Sequence, residues 1–265
     1  MKQGNGNEQR LRVDALHVVV APDRQTLGQL AAEEATAHLR QLLASQEEVR
    51  IVFAAAPSQL EMLAGLIAAP DIDWSRVTAF HMDEYIGLPA EAEQRFGRFL
   101  ERHMFRHVPL REVHYLDGGD DPEGACRRYG ELLAEAPIDM VLLGIGENGH
   151  IAFNDPPVAD FDDPLLVKVV ELEEACRIQQ VNDKCFAALG DVPTHAMTLT
   201  VPALFGGKAL FCSVPGPTKR QAVMRTLEGA IGEACPSTIL RQHPHCTLYV
   251  DHDSYDLGSR QASDV

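Results

Sequence analysis

The pattern of apolar and polar positions alternates between two kinds of segment along the chain. Short apolar runs rich in Val, Ile and Phe have strand length, and they are continuous, as expected when both faces of a strand are covered. These runs span residues 17–21, 50–56, 77–82, 138–146, 209–214 and 246–251. Segments with helical spacing cover residues 24–45, 58–69, 92–106, 121–135 and 218–230. This alternation predicts βαβ units and an α/β fold, with a mostly parallel central sheet and helices on both faces.

Length and composition favour one domain. A chain of 265 residues with 45% hydrophobic content can bury a sizeable core. The sequence has no internal repeat, low-complexity segment or long linker that would divide it. We therefore predict a single domain over residues 1–265, with frayed termini at residues 1–12 and 259–265.

The charge balance argues against two classes of partner. The formal net charge is -16, and the sequence has no long cluster of Lys or Arg that could bind a polyanion. We therefore expect neither nucleic acid nor an anionic membrane surface as a partner. The polar start MKQGNGNEQR lacks the apolar core of a signal peptide, and no apolar window is long enough to span a membrane. Six cysteines without CxxC spacing indicate reduced thiols, and together these features predict a cytoplasmic protein.

One strand end is unusually rich in turn residues and polar groups. The apolar run IDMVLL is followed by GIGENGHIAFNDPP at residues 144–157. Its glycines allow a close backbone approach to a ligand, and Asp155 can accept a hydrogen bond from His150, which would fix the imidazole tautomer and raise its basicity. The GxGxxG spacing is weak support for a dinucleotide site, because no long helix follows it and no ribose-binding acid is evident.

A second strand end carries an acidic pair, Asp83 and Glu84, directly after the run at residues 77–82. Taken alone, such a pair is usually a solvated turn or a helix cap, and a single His150 is as often structural as functional. Ligands of α/β sheets bind outside the carboxyl ends of the strands, however, and both groups lie at such ends. Their combination predicts an acid/base site.

Two clusters of histidines have spacings that could bind a metal ion. His103 and His107 have i, i+4 spacing on a predicted helix, but no Glu stands in HEXXH order, so a solvated helix face explains them better. The segment HPHC at 243–246, with His252, precedes a predicted strand and is better interpreted as a turn. We predict no metal site.

Four segments together resemble the glucosamine-6-phosphate deaminases, also called glucosamine-6-phosphate isomerases. They are HMDEYIGLP (81–89), LGIGENGHIAFNDP (143–156), THAMTLTVPAL (194–204) and GPTKRQAV (216–223), and their order and separations agree with the family over nearly the whole chain. The related 6-phosphogluconolactonases share the fold and a GxGxDGH segment but lack the MDEY segment. The resemblance implies a Rossmann-like sheet of the sugar-phosphate isomerase type, an amino-sugar phosphate as substrate, and no metal or organic cofactor.

The resemblance also assigns roles to individual residues. Asp83 matches the general base that moves a proton between C2 and C1 of the opened sugar, and His150 matches the residue that opens the pyranose ring. Asp155 stands where the family usually has Glu and would orient His150. Asn148 would bind a sugar hydroxyl. The predicted substrate-binding residues are Ser58, Gln59, Glu84, Gly146, Arg177 and Lys219.

The phosphate-binding elements depart from the family pattern. The family's LPTGxTP-like loop is replaced by FAAAPSQLEML (53–63), which has no glycine and offers Ser58 as its hydroxyl. A phosphate-contacting Arg of the family aligns with Asn182, and Arg177 or Lys184 is considered as its substitute. Lys219 matches the family's phosphate lysine. We therefore expect a retained but altered phosphate site.

Several alternatives stay open from the sequence. The altered loop allows a different amino sugar, phosphorylated or not. A hydrolase of the 6-phosphogluconolactonase type would use His150 without proton transfer at C2, and a non-catalytic sugar-phosphate-binding protein would need no base at Asp83. The resemblance also allows a homo-oligomer.

Overall fold

The structure of the protein, a computed structural model, describes residues 8–255. Within this range the strands are β1 (Gln9–Val13), β2 (Leu16–Ala21), β3 (Val49–Phe53), β4 (Val77–His81), β5 (Asp83–Tyr85), β6 (Glu112–His114), β7 (Met140–Leu143), β8 (Val167–Glu171), β9 (His195–Leu199), β10 (Ala209–Val214) and β11 (Cys246–Asp251). The helices are α1 (Arg24–Ser45), α2 (Leu60–Ala68), α3 (Phe96–His103), α4 (Pro122–Ala134), α5 (Glu174–Asn182), α6 (Val201–Phe205) and α7 (Arg220–Glu228). None of these helices is long and apolar enough to cross a membrane.

The central sheet has eight strands in the order β1-β2-β11-β10-β7-β3-β4-β6. Every neighbouring pair is parallel except β1 and β2, which form an antiparallel hairpin. The six apolar runs of the sequence form its six central strands, so the predicted α/β fold with a mostly parallel sheet is confirmed. The five predicted helices are α1, α2, α3, α4 and α7, of which α3 is shorter than expected.

Buried side chains of the central strands alternate between two apolar clusters, one on each face of the sheet. In β7, Val141 and Leu143 belong to one cluster, while Met140 and Leu142 belong to the other. Helices α4, α6 and α7 cover the first face, and α1, α2 and α3 cover the second. The continuous apolar runs follow from this arrangement, because a strand covered on both faces has no solvent side.

The structure corrects the predicted extent of the N-terminal fraying. Gln9 to Arg12 belong to β1, whose backbone pairs with β2. Leu11 and Val13 pack on the core while the intervening positions are exposed, so β1 alternates as a strand with one solvated face does. Its few apolar residues gave too weak a signal in the sequence. Residues 1–7 and the predicted C-terminal tail at 259–265 lie outside the described range.

A second sheet, absent from the predicted fold, has three antiparallel strands in the order β5-β9-β8. Only Met82 separates the end of β4 in the large sheet from β5 in the small one. Met82 links the two sheets, because its N–H donates to Phe53 O (3.3 Å) and its carbonyl accepts from Leu199 N (2.8 Å). The chain thus turns sharply out of the large sheet just before Asp83.

Helices α1 and α2 pack in close contact at Gly28. A Cβ added at this glycine would lie 2.2 Å from the Cβ of Glu61, well inside van der Waals contact. Glycine therefore allows α2 to approach α1 at this point. Arg24 lies one turn before Gly28 on the same face of α1, which brings its side chain toward Glu61.

Alanine substitution at two helical glycines tests this packing with opposite expected signs. Gly28→Ala should lower the free energy of unfolding, because overpacking costs roughly 1–3 kcal/mol and exceeds the helix-propensity gain of about 1 kcal/mol. Gly130→Ala in α4 is the matched control: its added Cβ would lie 3.7 Å from Leu166 Cβ, an ordinary contact, so it should be neutral or stabilising. Urea unfolding of both variants measures the difference. Equal effects would contradict the close contact at Gly28.

Candidate active site

A cavity of about 260 Å³ opens at the carboxyl ends of the central strands. The segments that follow β3, β4, β7 and β10 form its wall, together with α5 and the first residue of α1. Among the described residues, those that line it and carry polar or charged side chains are Arg24, Ser58, Asp83, His150, Gln179, Gln180, Asp183, Thr218 and Lys219. The cavity therefore lies where the topology of a parallel sheet favours ligand binding.

Asp83 lies at the start of β5, where the chain has just left the large sheet. The residue is 7% exposed and lines the cavity, while β5 pairs with β9 opposite Thr198. Burial, with a smaller contribution from the charge of Glu84, raises the pKa of Asp83 well above its ordinary value. A carboxylate with a raised pKa is a stronger base than one in water, which suits proton abstraction.

His81 holds the backbone at Asp83 from behind the cavity. Its Nε2 accepts a hydrogen bond from Leu116 N (2.9 Å), so Nδ1 carries the proton and donates to Asp83 O at 2.9 Å. Tyr129 also binds this segment, since its hydroxyl accepts from His81 N and donates to His81 O. Complete burial lowers the pKa of His81 to about 4. This histidine is thus a neutral positioning group.

His150, in the segment after β7, pairs with Asp155 and also lines the cavity. Nδ1 of His150 lies 2.9 Å from Asp155 Oδ1, and both side chains are largely buried. Burial opposes ionisation of Asp155, but the contacts with His150 and Asn148 outweigh it and hold the pKa of Asp155 below its usual value. This pairing orients the imidazole and leaves Nε2 for the cavity, which His150 lines.

Two glycines of the GIGENGH segment have specific steric roles. A Cβ at Gly146 would lie 2.2 Å from the His150 ring, and Gly146 N donates to His150 O at 2.9 Å, so the loop folds back tightly on the imidazole. Gly149 has a positive φ of 92°. The glycines therefore position His150, and Gly146 also lines the cavity.

The far end of the cavity contains Ser58 and Lys219. Lys219 is only 6% exposed, and burial lowers its pKa, although the charges of Asp183 and Glu147 oppose that shift. Both residues belong to short 3-10 turns, Pro57–Gln59 and Pro217–Lys219, that lead directly into α2 and α7. A cation and a hydroxyl beside two helix N-termini make an environment that favours an anion.

Three predicted site residues face away from the cavity. Glu84 points to the opposite side of β5, where its carboxylate accepts N–H bonds from Tyr85, Phe96 and Gly97 and caps α3. Gln59 is fully buried beneath the wall and donates to Ser213 O (3.1 Å). Asn148 donates to Asp155 Oδ1 and Glu173 Oε2, both at 2.9 Å. The alternation of side chains along β5 explains why Glu84 faces away while its neighbour Asp83 faces the cavity, since neighbouring side chains of a strand point to opposite faces.

The structure corrects the prediction for Arg177. Its guanidinium donates to Leu189 O (2.9 Å) and Val192 O (3.0 Å) and is not among the described groups that line the cavity. Arg177 lies in α5, and the helix turns its side chain away from the cavity while Gln179 and Gln180 face it. Arg177 lies five residues before Asn182 on this helix, and at 3.6 residues per turn that offset points the two side chains to different faces, which is why this substitution was misassigned.

Sequence reasoning missed Arg24 and Asp183, which both line the cavity. Arg24 follows the strand at 17–21, so the rule that directs ligands to strand ends applied to it as well. Its surroundings, APDRQ, also form an ordinary helix start with Asp23 as the N-cap. That simpler explanation gave no reason to assign Arg24 to the site. Asp183 stands next to Asn182, and no motif of the sequence pointed to an acidic group in the cavity.

His150, Asp155 and Cys176 could supply three ligand atoms that lie within 4.8 Å of one another. Metal binding would require a thiolate at Cys176. In the metal-free protein, burial raises the pKa of Cys176 well above its ordinary value, and the charge of Asp155 raises it further, so the thiol is protonated. A metal ion bound at this cluster would have to displace that proton.

The fold and the position of the cavity define a class: α/β enzymes with a site at the strand ends of a mostly parallel sheet. The family model described as glucosamine-6-phosphate isomerases/6-phosphogluconolactonase matches residues 22–249. The chain belongs to this family. The glucosamine-6-phosphate deaminases of Bacillus thuringiensis (strain Al Hakam) and Bacillus cereus (strain AH820) are each 39% identical to it over 194 residues, which is 73% of this chain and 72% of each relative.

Solved structures show the same relationship. A monomeric glucosamine-6-phosphate deaminase is 27% identical and superposes with a TM-score of 0.81, covering 89% of this chain and 98% of its own. The 6-phosphogluconolactonase of Thermotoga maritima, at 20% identity, has a TM-score of 0.72 and covers 88% of this chain and 98% of its own. At that identity the second likeness shows the shared fold alone. The resemblance found in the sequence is thus confirmed at the level of the family.

The neutral state of His81 predicts how stability depends on pH. The unfolded chain binds the proton near the ordinary pKa of about 6.5, whereas the folded chain binds it near 4. Between these values the unfolded state holds more protons, so the free energy of unfolding should fall as the pH is lowered through this window. Urea unfolding at pH 7.5 and pH 5 measures the loss.

Two variants isolate the contribution of His81. His81→Gln should be less stable at pH 7.5 but should lose less stability between pH 7.5 and 5 than the unsubstituted protein. His17→Gln, at an exposed position of β2, should show the same pH dependence of the free energy of unfolding as the unsubstituted protein. An unchanged pH dependence in His81→Gln would show that His81 is not the responsible group.

Proposed function

We propose that this enzyme converts glucosamine-6-phosphate and water into fructose-6-phosphate and ammonia. The observation that carries the proposal is that Asp83, a buried carboxylate with a raised pKa, and His150, paired with Asp155, line one cavity. Isomerisation of an aldose needs a base that can reach C2, and ring opening needs a group that exchanges protons with two oxygens. The curated relatives at 39% identity are named for this reaction.

Ring opening is the step assigned to His150. Its Nε2 accepts the proton of the C1 hydroxyl and delivers one to the ring oxygen, which breaks the bond between C1 and that oxygen. The imidazole is positively charged between these transfers, and the carboxylate of Asp155, 2.9 Å from Nδ1, stabilises that charge. Asn148 holds Asp155 in position through its bond of 2.9 Å. In this proposal Asn148 is a positioning residue.

Proton transfer between carbons is the step assigned to Asp83. Its carboxylate takes the proton from C2 of the open aldehyde while the carbonyl oxygen at C1 gains a proton from solvent, which gives a neutral enolamine. Asp83 then returns its proton to C1 and leaves an iminium ion at C2. Water adds to C2, returns a proton to solvent and displaces ammonia, and the ketose remains. Burial favours this shuttle, because a carboxyl group with a raised pKa holds the proton strongly enough to keep it between the two steps.

The phosphate is assigned to the end of the cavity that contains Ser58 and Lys219. The side chain of Lys219 supplies a buried positive charge there, and α2 and α7 begin beside it. Asp183 at the same end makes a different amino-sugar phosphate a second candidate substrate, because an acidic group can accept hydrogen bonds from hydroxyls that another epimer presents. Both candidates share the same proton-transfer chemistry.

Replacement of Asp83 by Asn tests the proposal. Ammonia release should fall by roughly 10²–10⁴-fold, the usual contribution of a general base, while binding of the sugar phosphate should persist because the cavity keeps its shape. The measurement is ammonia release from glucosamine-6-phosphate, galactosamine-6-phosphate and unphosphorylated glucosamine in parallel.

The other open functions make different predictions for the same assay. A lactonase should hydrolyse 6-phosphogluconolactone and should keep that activity in Asp83→Asn, because it needs no proton transfer at C2. A non-catalytic protein should bind sugar phosphates without releasing ammonia. Absence of ammonia from all three amino sugars with the unsubstituted protein would overturn the proposal.

Ionisation of Asp83, whose pKa is raised by burial and to a smaller extent by the charge of Glu84, should set the acid limb of the pH–rate profile. Asp83 must be ionised to accept a proton, so kcat/KM should fall with decreasing pH at a value above that of an ordinary carboxyl group. Because the charge of Glu84 contributes to the raised pKa of Asp83, Glu84→Gln should move this limb to lower pH. Glu84 also caps α3, so unfolding of the variant is measured in parallel. A limb that stays in place would contradict this coupling.

A further inference from the structure

Three helices begin at one end of the active-site cavity. Arg24 is the first residue of α1, and the turns Pro57–Gln59 and Pro217–Lys219 lead into α2 and α7. Arg24, Ser58, Thr218 and Lys219 all line the cavity there. Each helix N-terminus contributes a partial positive charge, so the three together favour an anionic group.

The net charge at this end depends on more than Lys219. Its ammonium group is almost completely buried, but Asp183 lines the same cavity and acts on it electrostatically. One lysine opposed by one aspartate leaves little positive charge for a phosphoryl group of charge near -2. Asn182, at the position where the sequence resemblance predicts an arginine, is neutral and donates to Glu147 Oε2 at 3.4 Å. A second cation is therefore needed.

Arg24 is held in a fixed orientation at this end of the cavity. Its Nε donates to Glu61 Oε1 at 2.6 Å, and its Nη2 donates to the carbonyl of Pro57. The contact between α1 and α2 at Gly28 brings Glu61 close enough for this pair. These two bonds use two of the five guanidinium N–H donors, which leaves three for a ligand. The side chain is 42% exposed, so a ligand in the cavity can reach it.

We propose that Arg24 binds the phosphate of the substrate together with Lys219. Arg24 supplies the planar, bidentate contact, and Lys219 supplies a buried point charge. Arg24 adds a second cation beside Lys219 at this end of the cavity, where Glu61 and Asp183 offset part of the positive charge. The resemblance predicted this second cation near residue 182, and here it comes from α1 instead. This inference rests on the proposed function, since it assigns a further residue to the phosphate of the same substrate.

Arg24→Met is the principal test, with ammonia release as the first readout. Loss of a charge-assisted bidentate contact should raise KM by roughly 10-fold or more, with little change in kcat, because the phosphate lies away from the reacting carbons. Arg24→Lys should give a smaller increase, since it keeps the charge and loses the planar fork. Folding is checked by circular dichroism, because Arg24 is half-buried and contacts Glu61 and Pro57.

Binding of sorbitol 6-phosphate, which has no carbonyl group and cannot react, gives a second readout by calorimetry. Arg24→Met should weaken its binding by a factor similar to the rise in KM, whereas binding of unphosphorylated sorbitol should not change. Arg40→Met is the matched control, because Arg40 lies on the same helix and donates to Pro70 O at a distance from the cavity. Arg40→Met removes the same charge and should leave both the KM and the affinity for sorbitol 6-phosphate unchanged.

Glu61→Gln should not weaken the binding of sorbitol 6-phosphate as Arg24→Met does. It removes the negative partner of Arg24 and leaves the guanidinium in place, so sorbitol 6-phosphate should bind as tightly as before or more tightly. This variant separates loss of the positive charge from a general disturbance of the α1–α2 contact. Weaker binding in Glu61→Gln that equals the loss in Arg24→Met would indicate such a disturbance and would overturn the assignment.

The inference and the proposed function can fail separately. Ammonia release with an unchanged KM in Arg24→Met would support the function and overturn the role of Arg24. Binding of sorbitol 6-phosphate that depends on Arg24, without ammonia release from any amino sugar, would support Arg24 and overturn the function. Equal binding of sorbitol and sorbitol 6-phosphate by the unsubstituted protein would overturn the anion site itself.

Discussion

The site depends on the single-residue transition at Met82, where the chain leaves the large parallel sheet and enters the small antiparallel one. Hydrogen bonds from Met82 to β3 and to Leu199 at the end of β9 fix this transition. It places Asp83 between two sheets, where the carboxylate loses most of its hydration and still faces a cavity. Loss of hydration raises the proton affinity of Asp83, so the fold itself creates the base. His81, held neutral by burial, supports the backbone without adding a charge beside that base.

The electrostatics of the cavity differ from those of the whole chain. The protein carries a formal net charge of -16, yet one end of its cavity contains Arg24, Lys219 and the N-termini of three helices. Because screening limits the reach of exposed charges to about 10 Å, these local groups govern what enters the cavity. An acidic surface that repels polyanions is therefore compatible with a site that binds a small anion.

Much of the fold followed from the sequence, for a physical reason that also explains what was missed. Strands buried on both faces leave long apolar runs, and all six of these were recognised. The strands β5 and β6 have three residues each, too few to show a period, and β1 and β8 are partly solvated. Strand β9 is buried beyond His195, but only three of its five residues are apolar. The second sheet therefore left little signal, although its strands β5 and β9 lie inside two segments of the family resemblance.

The site was predictable to the extent that local sequence fixes the direction of a side chain. Asp83, Gly146, His150 and Lys219 follow strand ends and line the cavity as expected. Glu84 and Arg177 could not be oriented from sequence, because one alternates on a strand and the other depends on the rotation of a helix. Arg24 was missed for a different reason. Its sequence surroundings are those of an ordinary helix start, and only the packing of α1 on α2 shows that its side chain lies at the cavity.

The two edges of the large sheet differ from its interior in a way that bears on self-association. One edge is β1, whose exposed positions include Arg10 and Arg12, and the other is β6, which has three residues. Short or charged edges give a neighbouring chain few backbone groups to pair with. The large sheet is therefore poorly suited to extension by a strand from a second copy, and contacts between copies would have to use helices, loops or the small sheet instead.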